Sequence, residues 1–327
     1  MTATANVQPE KILKDLSKLW VDLGKEDTEK GSAGVLRACA MTLIAAVEEE
    51  SQALEAGETI ANLVHQHPSR VIVMRVLSEG GSALDARVFA QCWMPFGRSQ
   101  QICCEQIEIT ASSSRVSDLP KLVLGIMAPD LPVVIWCTGE RLLRDPSFQQ
   151  LFPLADKIVV DSAAFADAPA ALGFIRHFMA AGRNLADLNW TRLTPLREMV
   201  AQMFANAGAL AKLKDLTSVT VSYAGPAQAT AENMPSSLHY LSAWLRSTLT
   251  APVQLDFAES GVGFEIRGIR FAGPDFDAAI ALEGVAAQIR MGSMAHRMAF
   301  PKRSDCDLLR EELSVSGVDS IYRKCLG

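Results

Sequence analysis

The chain has no run of about 18 uncharged apolar residues, and its first residues lack the basic, apolar, then small-residue order of a secretory leader. The expectation is a cytoplasmic protein with no membrane partner. Signatures of local chemistry are missing as well. There is no phosphate loop ending in Gly-Lys-Ser or Gly-Lys-Thr, no GxGxxG opening a helix after a strand, no HExxH helix and no GxSxG elbow. Nothing has the paired CxxC spacing of a structural zinc site. The residues therefore select no catalytic group, no cofactor and no metal. Positive charge is also short: the net charge is −6, against a nucleic-acid partner, which needs a concentrated basic face. Seven cysteines, an odd number scattered from Cys39 to Cys325, fit reduced thiols better than a disulfide framework.

What is present is ordinary globular material: 327 residues, 49% hydrophobic and 21% charged, enough for about two domains. Ile12, Leu13, Leu16, Leu19, Trp20 and Leu23 recur at helical spacing and predict a docking helix ended by Gly24, with a charged linker to Gly34. Residues 36–47 are apolar almost throughout and read as a buried strand, and residues 48–64 as a helix. His65 and His67 precede Pro68 and a strand over 71–77; without a nearby thiol or carboxylate they read as loop or cap residues, not a metal pair.

Residues 84–94 alternate and pair with 101–110 as an antiparallel hairpin. If Gly97-Arg98 makes the turn, Cys92 lies opposite Cys103. A bridge there is open to an oxidised chain, but the reading as small apolar side chains in a sheet is favoured. Helices over 116–128 and 141–151 alternate with strands over 130–137 and 156–162, the order that gives a parallel sheet with covering helices. Asp161 and Ser162 stand where a strand gives way to a loop, a position where such sheets bind ligands.

A helix from Pro169 to about Gly182 leads to the stretch on which the second half is centred, residues 186–206. Thr194-Pro195 predicts a helix start, and Leu196, Met199, Val200, Met203 and Phe204 form its apolar stripe, stopped by Asn206 and Gly208. Trp190, Arg192, Arg197 and Glu198 crowd that start, as a latch inside the protein or as a face for a partner; the latch is favoured, because Arg stems and Trp rings are routinely consumed in local packing. A strand over 216–223, a helix over 235–250 carrying Tyr240 and Trp244 on one face, strands over 253–257, 263–271 and 276–282 in an antiparallel sheet, and short helices over 305–313 and 319–326 complete the reading. The fold class expected is α/β, mixed with α+β: residues 1–33 a docking helix and linker, 34–165 an N-terminal mixed sheet with covering helices, and 166–327 a C-terminal α/β domain ending in antiparallel strands and short helices.

In order along the chain stand His67-Pro68-Ser69-Arg70, Leu131-Pro-Val-Val-Ile-Trp136, Asp156-Lys-Ile-Val-Val-Asp161-Ser162, Ala186-Asp-Leu-Asn-Trp190-Thr-Arg192-Leu-Thr-Pro-Leu-Arg197-Glu198, Tyr240-Leu-Ser-Ala-Trp244-Leu, and Asp307-Leu-Leu-Arg-Glu-Glu-Leu313 through Tyr322. Together they resemble the glucose-6-phosphate dehydrogenase assembly protein family, OpcA, collinear from about Gly34 to Gly327. The resemblance implies a non-catalytic regulatory protein that binds glucose-6-phosphate dehydrogenase, promotes its active oligomer and activates it allosterically at the entrance to the oxidative pentose phosphate pathway of carbohydrate metabolism. It points to Trp190, Arg192, Arg197 and Trp244 as residues that build or support the partner surface. Redox control through cysteines, found in some members, is not carried to Cys103 or Cys104. The sequence departs from the family pattern at Leu196, where an aromatic is common, and at Ser242-Ala243, where an Ala-Gly pair is usual. The alternative reading is a sugar-phosphate or nucleotide-binding enzyme with its site at the sheet edge, on Asp161 and Ser162.

Overall fold

Strand residues 42–47 are buried on both faces, as a strand covered by helices on each side must be. A computed structural model describes residues 7–29, 34–77, 83–97, 100–226, 234–261 and 263–326, and the chain divides into two units. The first comprises residues 1–164, 183–186 and 309–316; the second, residues 165–182, 187–308 and 317–327. The architecture is mixed α/β, as expected. Among the described residues no helix is long and apolar enough to cross a membrane.

In the first unit the elements run α1 (Pro9–Glu29), β1 (Val35–Arg37), β2 (Met41–Val47), α2 (Glu50–Leu63), β3 (Ser69–Leu77), β4 (Leu84–Trp93), β5 (Gln101–Ser112), α3 (Leu119–Ile126), β6 (Val133–Cys137), α4 (Glu140–Arg144) and β7 (Lys157–Val160). The second unit opens with α5 (Ala168–Ala180); β8 (Leu185–Asp187) spans the division. The sheet is ordered β4-β5-β3-β2-β6-β7-β8, with β1 paired to β5 as well. Pairings β2 to β3, β3 to β5, β2 to β6 and β6 to β7 are parallel, and β4 is antiparallel to β5. From β2 the chain winds outward through β3 and β5 on one side and through β6 and β7 on the other, so the order reverses between β2 and β6. That reversal is where doubly wound sheets open a ligand crevice.

Several expectations shift in detail. Gly24 does not end the first helix, which continues to Glu29; Ile12 and Leu16 are its buried anchors, and Pro9 lies so close to Gly125 of α3 that a Cβ there would meet it at 2.6 Å. The apolar stretch 36–47 is two strands, because residues 38–40 leave the ladder. The helix expected over 116–128 starts as a 3-10 turn at Ser113–Asp118, and the one expected over 141–151 is the short α4 followed by a 3-10 turn at Phe148–Leu154. Arg98 of the expected hairpin turn lies outside the described residues, but the pairing itself holds, with Cys92 opposite Cys103. Contrary to the reduced-thiol reading, these two form a disulfide across the ladder, their Cα atoms 4.0 Å apart. The register places them at one of the close pairs of an antiparallel ladder, where opposing side chains meet.

The second unit continues with α6 (Leu188–Arg192), α7 (Thr194–Met203), α8 (Ala207–Lys212), β9 (Ser218–Gly225), α9 (Ser236–Thr248), β10 (Val253–Ser260), β11 (Glu265–Gly273), β12 (Phe276–Glu283), β13 (Ala286–Met291) and β14 (Met294–Ala299); α10 (Asp305–Ser314) and α11 (Ser320–Leu326) end the chain. Thr194 is the first residue of α7 and not its cap, and Asn206 starts α8 by accepting the amide of Ala209 at 2.8 Å. The six strands are ordered β10-β9-β11-β12-β13-β14. β10 lies parallel to β9, a departure from the all-antiparallel expectation, and β13 and β14 extend the sheet beyond the three strands expected. Val219, Val221, Ile269, Phe271, Ala278, Ile280 and Ala287 share its buried face.

Candidate functional site

The family segments of the second unit converge on one aromatic cluster. Asp187 is fully buried; its Oδ1 accepts the Asn189 amide at 2.9 Å, which starts α6, and its Oδ2 accepts the Tyr240 hydroxyl at 2.6 Å. Tyr240 shares a hydrogen bond of 3.1 Å with the Tyr322 hydroxyl. Trp190, 2% exposed, packs its ring 5.3 Å from Tyr322 and 6.0 Å from Tyr240, and its indole N–H donates to Asp319 at 2.8 Å. Arg197 lies 3.6 Å over the indole face and donates to the Thr194 hydroxyl at 3.0 Å. Asp319 accepts the amides of Ile321 and Tyr322 with its other oxygen, so one carboxylate both starts α11 and holds Trp190.

Of the four residues singled out from sequence, the structure brings Trp190 and Arg197 together and gives both to local packing. Arg192, its side chain 32% exposed, reaches Asp305 at 3.5 Å. Trp244 is half-buried one turn along α9 from Tyr240, and Glu198 is exposed. Trp190 can hold a surface in place but presents almost none itself.

In the first unit the sheet crevice is filled from within. Glu48 follows β2, and its carboxylate accepts the Leu142 amide at 2.6 Å and faces Arg141 at 3.4 Å. Gly139 leaves the room that this carboxyl group occupies. Gln52 Oε1 accepts the amides of Glu48 at 3.0 Å and Glu49 at 3.3 Å, and the Thr138 hydroxyl at 3.4 Å. Glu49 and Gln52 form a reciprocal capping box on α2. In doubly wound nucleotide-binding folds this first turn is glycine-rich and leaves helix amides open to phosphate. Here Glu48-Glu49-Glu50 supplies carboxylates in that place.

Asp161 and Ser162 stand at the end of β7 as expected. Ser162 is buried, and Asp161 accepts the Ala163 amide at 3.1 Å, which organises the 3-10 turn after the strand. Lys157 in the same segment is 5% exposed and donates to the carbonyls of Glu312 at 2.8 Å and Val315 at 2.5 Å, fastening the end of α10.

A second buried network was not legible from the sequence. Glu105, 3% exposed, accepts from Arg70 at 2.6 Å, from Arg37 at 2.9 Å and from the Trp20 indole at 2.5 Å. Arg70 also donates to the Ile126 carbonyl at 2.8 Å. The arginine of His67-Pro68-Ser69-Arg70 thus ties α1, α3 and β5 together. His65 stacks on Trp93 at 4.9 Å between ring centres. Burial, then the neighbouring Arg310, holds His67 below the usual imidazole range. Among the described residues no three His, Cys, Asp or Glu side chains cluster as metal ligands would. Burial pushes the Cys104 thiol up to about 11 and the Cys137 thiol up to about 12.

The fold and these clusters define a two-unit α/β protein in which Asp187, Glu48, Glu105 and Lys157 are spent on fastening the chain's own segments. A family model described as the glucose-6-phosphate dehydrogenase subunit N-terminal domain matches residues 61–177, and one described as the C-terminal domain of that subunit matches residues 183–326. The chain belongs to the OpcA family. Curated relatives that carry the name OpcA agree: one from Synechocystis sp. is 28% identical over 226 residues, 68% of this chain and 45% of its own length. Another, from Nostoc punctiforme, is 28% identical over 214 residues, 64% of this chain and 44% of its own. The chain spans about half the length of the curated relatives it matches. Among solved structures, a 3-ketoreductase from Actinomadura kijaniata aligns over 88% of this chain and 93% of its own at 9% identity and a TM-score of 0.47. Biliverdin reductase from Synechocystis sp. aligns at 8% identity and 0.46, over 89% and 96%. These likenesses are too loose to bear on activity.

Proposed function

We propose that the chain is a non-catalytic assembly factor and allosteric activator of glucose-6-phosphate dehydrogenase, promoting that enzyme's active oligomer in the cytoplasm at the entrance to the oxidative pentose phosphate pathway. The observation that carries the reading is the match of both halves of the chain to domains described as parts of a subunit of that enzyme. The closed crevice beside Glu48 fits it, since the fold's usual ligand position is taken up by the chain's own side chains.

An activator must bind the active arrangement of its enzyme better than the inactive one, because equal affinity shifts nothing. A tenfold preference is about 1.4 kcal/mol, within reach of one or two buried aromatic or Arg anchors. The part-exposed Arg192 and Trp244 are the residues assigned to this surface, and the stacked Trp190 and Arg197 are assigned the role of supporting it. The test replaces Arg192 with Ala and, separately, Arg197 with Ala, and reads activation of the cognate dehydrogenase beside a melting curve. R192A is expected to lose activation at an unchanged melting temperature, whereas R197A lowers both. Full activation by R192A removes it from the interface. A wild-type chain that leaves the dehydrogenase's activity and oligomer unchanged overturns the function itself.

A further inference from the structure

The end of the second unit's sheet differs in charge from the rest of the molecule. Against a net charge of −6 and 37 acidic residues overall, residues 284–304 contain no Asp or Glu, yet they carry Arg290, Arg297, Lys302, Arg303 and His296. This acid-free stretch folds as the β13–β14 hairpin and the segment after it, and β14 is the last strand in the sheet order. Every side chain from Met294 to Ala299 is exposed, Met294 at 61% and Met298 at 39%.

Hairpin register fixes which backbone groups of this edge are free to pair outward. Met291 and Met294 flank a two-residue turn, in which Gly292 takes the positive φ of +57 that such turns require. The residues flanking such a turn exchange hydrogen bonds, and so does every second pair after them: Ile289 with His296, and Ala287 with Met298. The N–H and C=O groups of Ala295, Arg297 and Ala299 therefore point away from β13. A row of outward amides and carbonyls on an exposed edge is a template for another strand. The side chains offered beside it are adaptable methionines on one face and Arg297 on the other. Arg290, next to Ala295 on that second face, already shares Asp277 with Arg270.

We infer that β14 is a strand-addition site, and that its occupant is an extended segment of a partner protein carrying acidic side chains opposite Arg297. The backbone row calls for a peptide, since phosphates cannot complete a ladder. The charge disfavours a second copy of this same edge, which would bring His296 and Arg297 beside their own equivalents. The inference rests on the reading above that the chain docks on a dehydrogenase, and it names the edge that does so.

The test measures association of the full chain with its cognate dehydrogenase at several salt concentrations. The variants are Ala295→Pro, which removes one outward N–H and blocks an incoming strand while keeping the inner ladder, and Arg297→Glu, which keeps the backbone and reverses the charge. Each is expected to weaken association at least tenfold with little change in melting temperature, and the salt dependence of the wild type is expected to shrink in Arg297→Glu. Wild-type association with both variants within twofold of it overturns the edge and leaves the dehydrogenase reading standing. Loss in Arg297→Glu alone, with Ala295→Pro normal, overturns strand addition. A wild-type dimer by light scattering that Ala295→Pro converts to monomer reassigns the edge to a second copy. A wild type that does not associate at all removes the underlying reading and this one with it.

Discussion

At the scale of single residues the molecule's polar side chains act as fasteners, and their removal should be read first in stability. Trp190 is enclosed by Tyr240, Tyr322 and Arg197 and held at its N–H by Asp319. Trp190→Ala should therefore cost about 3–5 kcal/mol, as emptying a large aromatic site does, while Tyr322→Phe, which removes one shared hydroxyl bond, should cost about 1 kcal/mol. Chemical denaturation of both variants checks the ratio; a Trp190→Ala loss under about 1 kcal/mol would mean the ring is not a keystone of the cluster. Glu105 is a different case, a buried carboxylate facing Arg70 and Arg37. Glu105→Ala leaves the Arg70 guanidinium buried without its counter-charge, a loss of about 3–5 kcal/mol. The double change Glu105→Met with Arg70→Met should recover a good part of it, and a double variant no better than the single one would contradict the account. His239 supplies a pH test. Burial, then Arg176 and Arg246, holds its imidazole below the ordinary range, so the fold favours the neutral form. The unfolded chain takes up a proton as pH drops through about 6.5 and the folded chain does not. The stabilisation is thus full above that pH and is lost progressively below it. His239→Gln should flatten the fall in stability between pH 7 and 5, leaving the part that belongs to His67; an unaltered slope would acquit His239.

At the scale of elements, periodicity was readable and tertiary chemistry was not. In the first sheet β4 was legible from its alternation, and β2, β3, β6 and β7 as short apolar runs, whereas β1 merged with β2 and the three-residue β8 gave no signal; α9 was legible because its leucines recur at 3.6. Gly24 misled, because in α1 packing of Ile12 and Leu16 and the hold on Trp20 outweigh the modest cost of an interior glycine. The hairpins at Gly284-Val285 and Gly292-Ser293 did carry a signal, glycine at the first turn position with φ of +61 and +57, but the strands they join are short and rich in alanine and do not alternate clearly. The aromatic cluster was legible in half: crowding around Trp190 could be seen along the chain, whereas Tyr240, Asp319 and Tyr322 join it from far away in sequence. Glu105 and Glu48 gave no sign, since a single acid reads the same whether it is solvated or locked. The Cys92–Cys103 bridge also depended on register, and it has a direct check. Seven cysteines less one bridge leaves five free thiols. Unfolding the protein without reductant should therefore expose five reactive thiols, and unfolding it with reductant seven. In the folded protein Cys104 and Cys137 should react slowest, because burial raises their thiols to about 11 and about 12. Seven thiols without reductant would place both sulfurs in the reduced state.

At the scale of the whole molecule, the question is whether a doubly wound sheet still does what such sheets commonly do. Its order reverses between β2 and β6, so a crevice is due there. Glu48 spans it to the Leu142 amide and Arg141, and Gln52 takes the amides that would otherwise face a phosphate. An anion entering must displace a carboxylate already satisfied by hydrogen bonds and meet the charge of Glu49 and Glu50 as well. A ligand that binds only the folded state raises stability by RT ln(1 + [L]/Kd), so the expectation is sharp: NADPH and glucose 6-phosphate at millimolar concentration should leave the melting temperature of the isolated chain unchanged within about 1 °C. A shift that grows with concentration would reopen the enzyme reading at Asp161 and Ser162. If the crevice is silent, the influence on the dehydrogenase proposed above has to pass through surface alone, and two kinds of surface effect remain to be separated. A scaffold acts only by completing an oligomer, so its effect vanishes once the dehydrogenase is concentrated enough to assemble unaided. An allosteric activator prefers one arrangement of the assembled enzyme and still changes its substrate saturation curve there. The expected outcome is a persistent shift in that curve at saturating dehydrogenase; its disappearance would reduce the chain to a clamp.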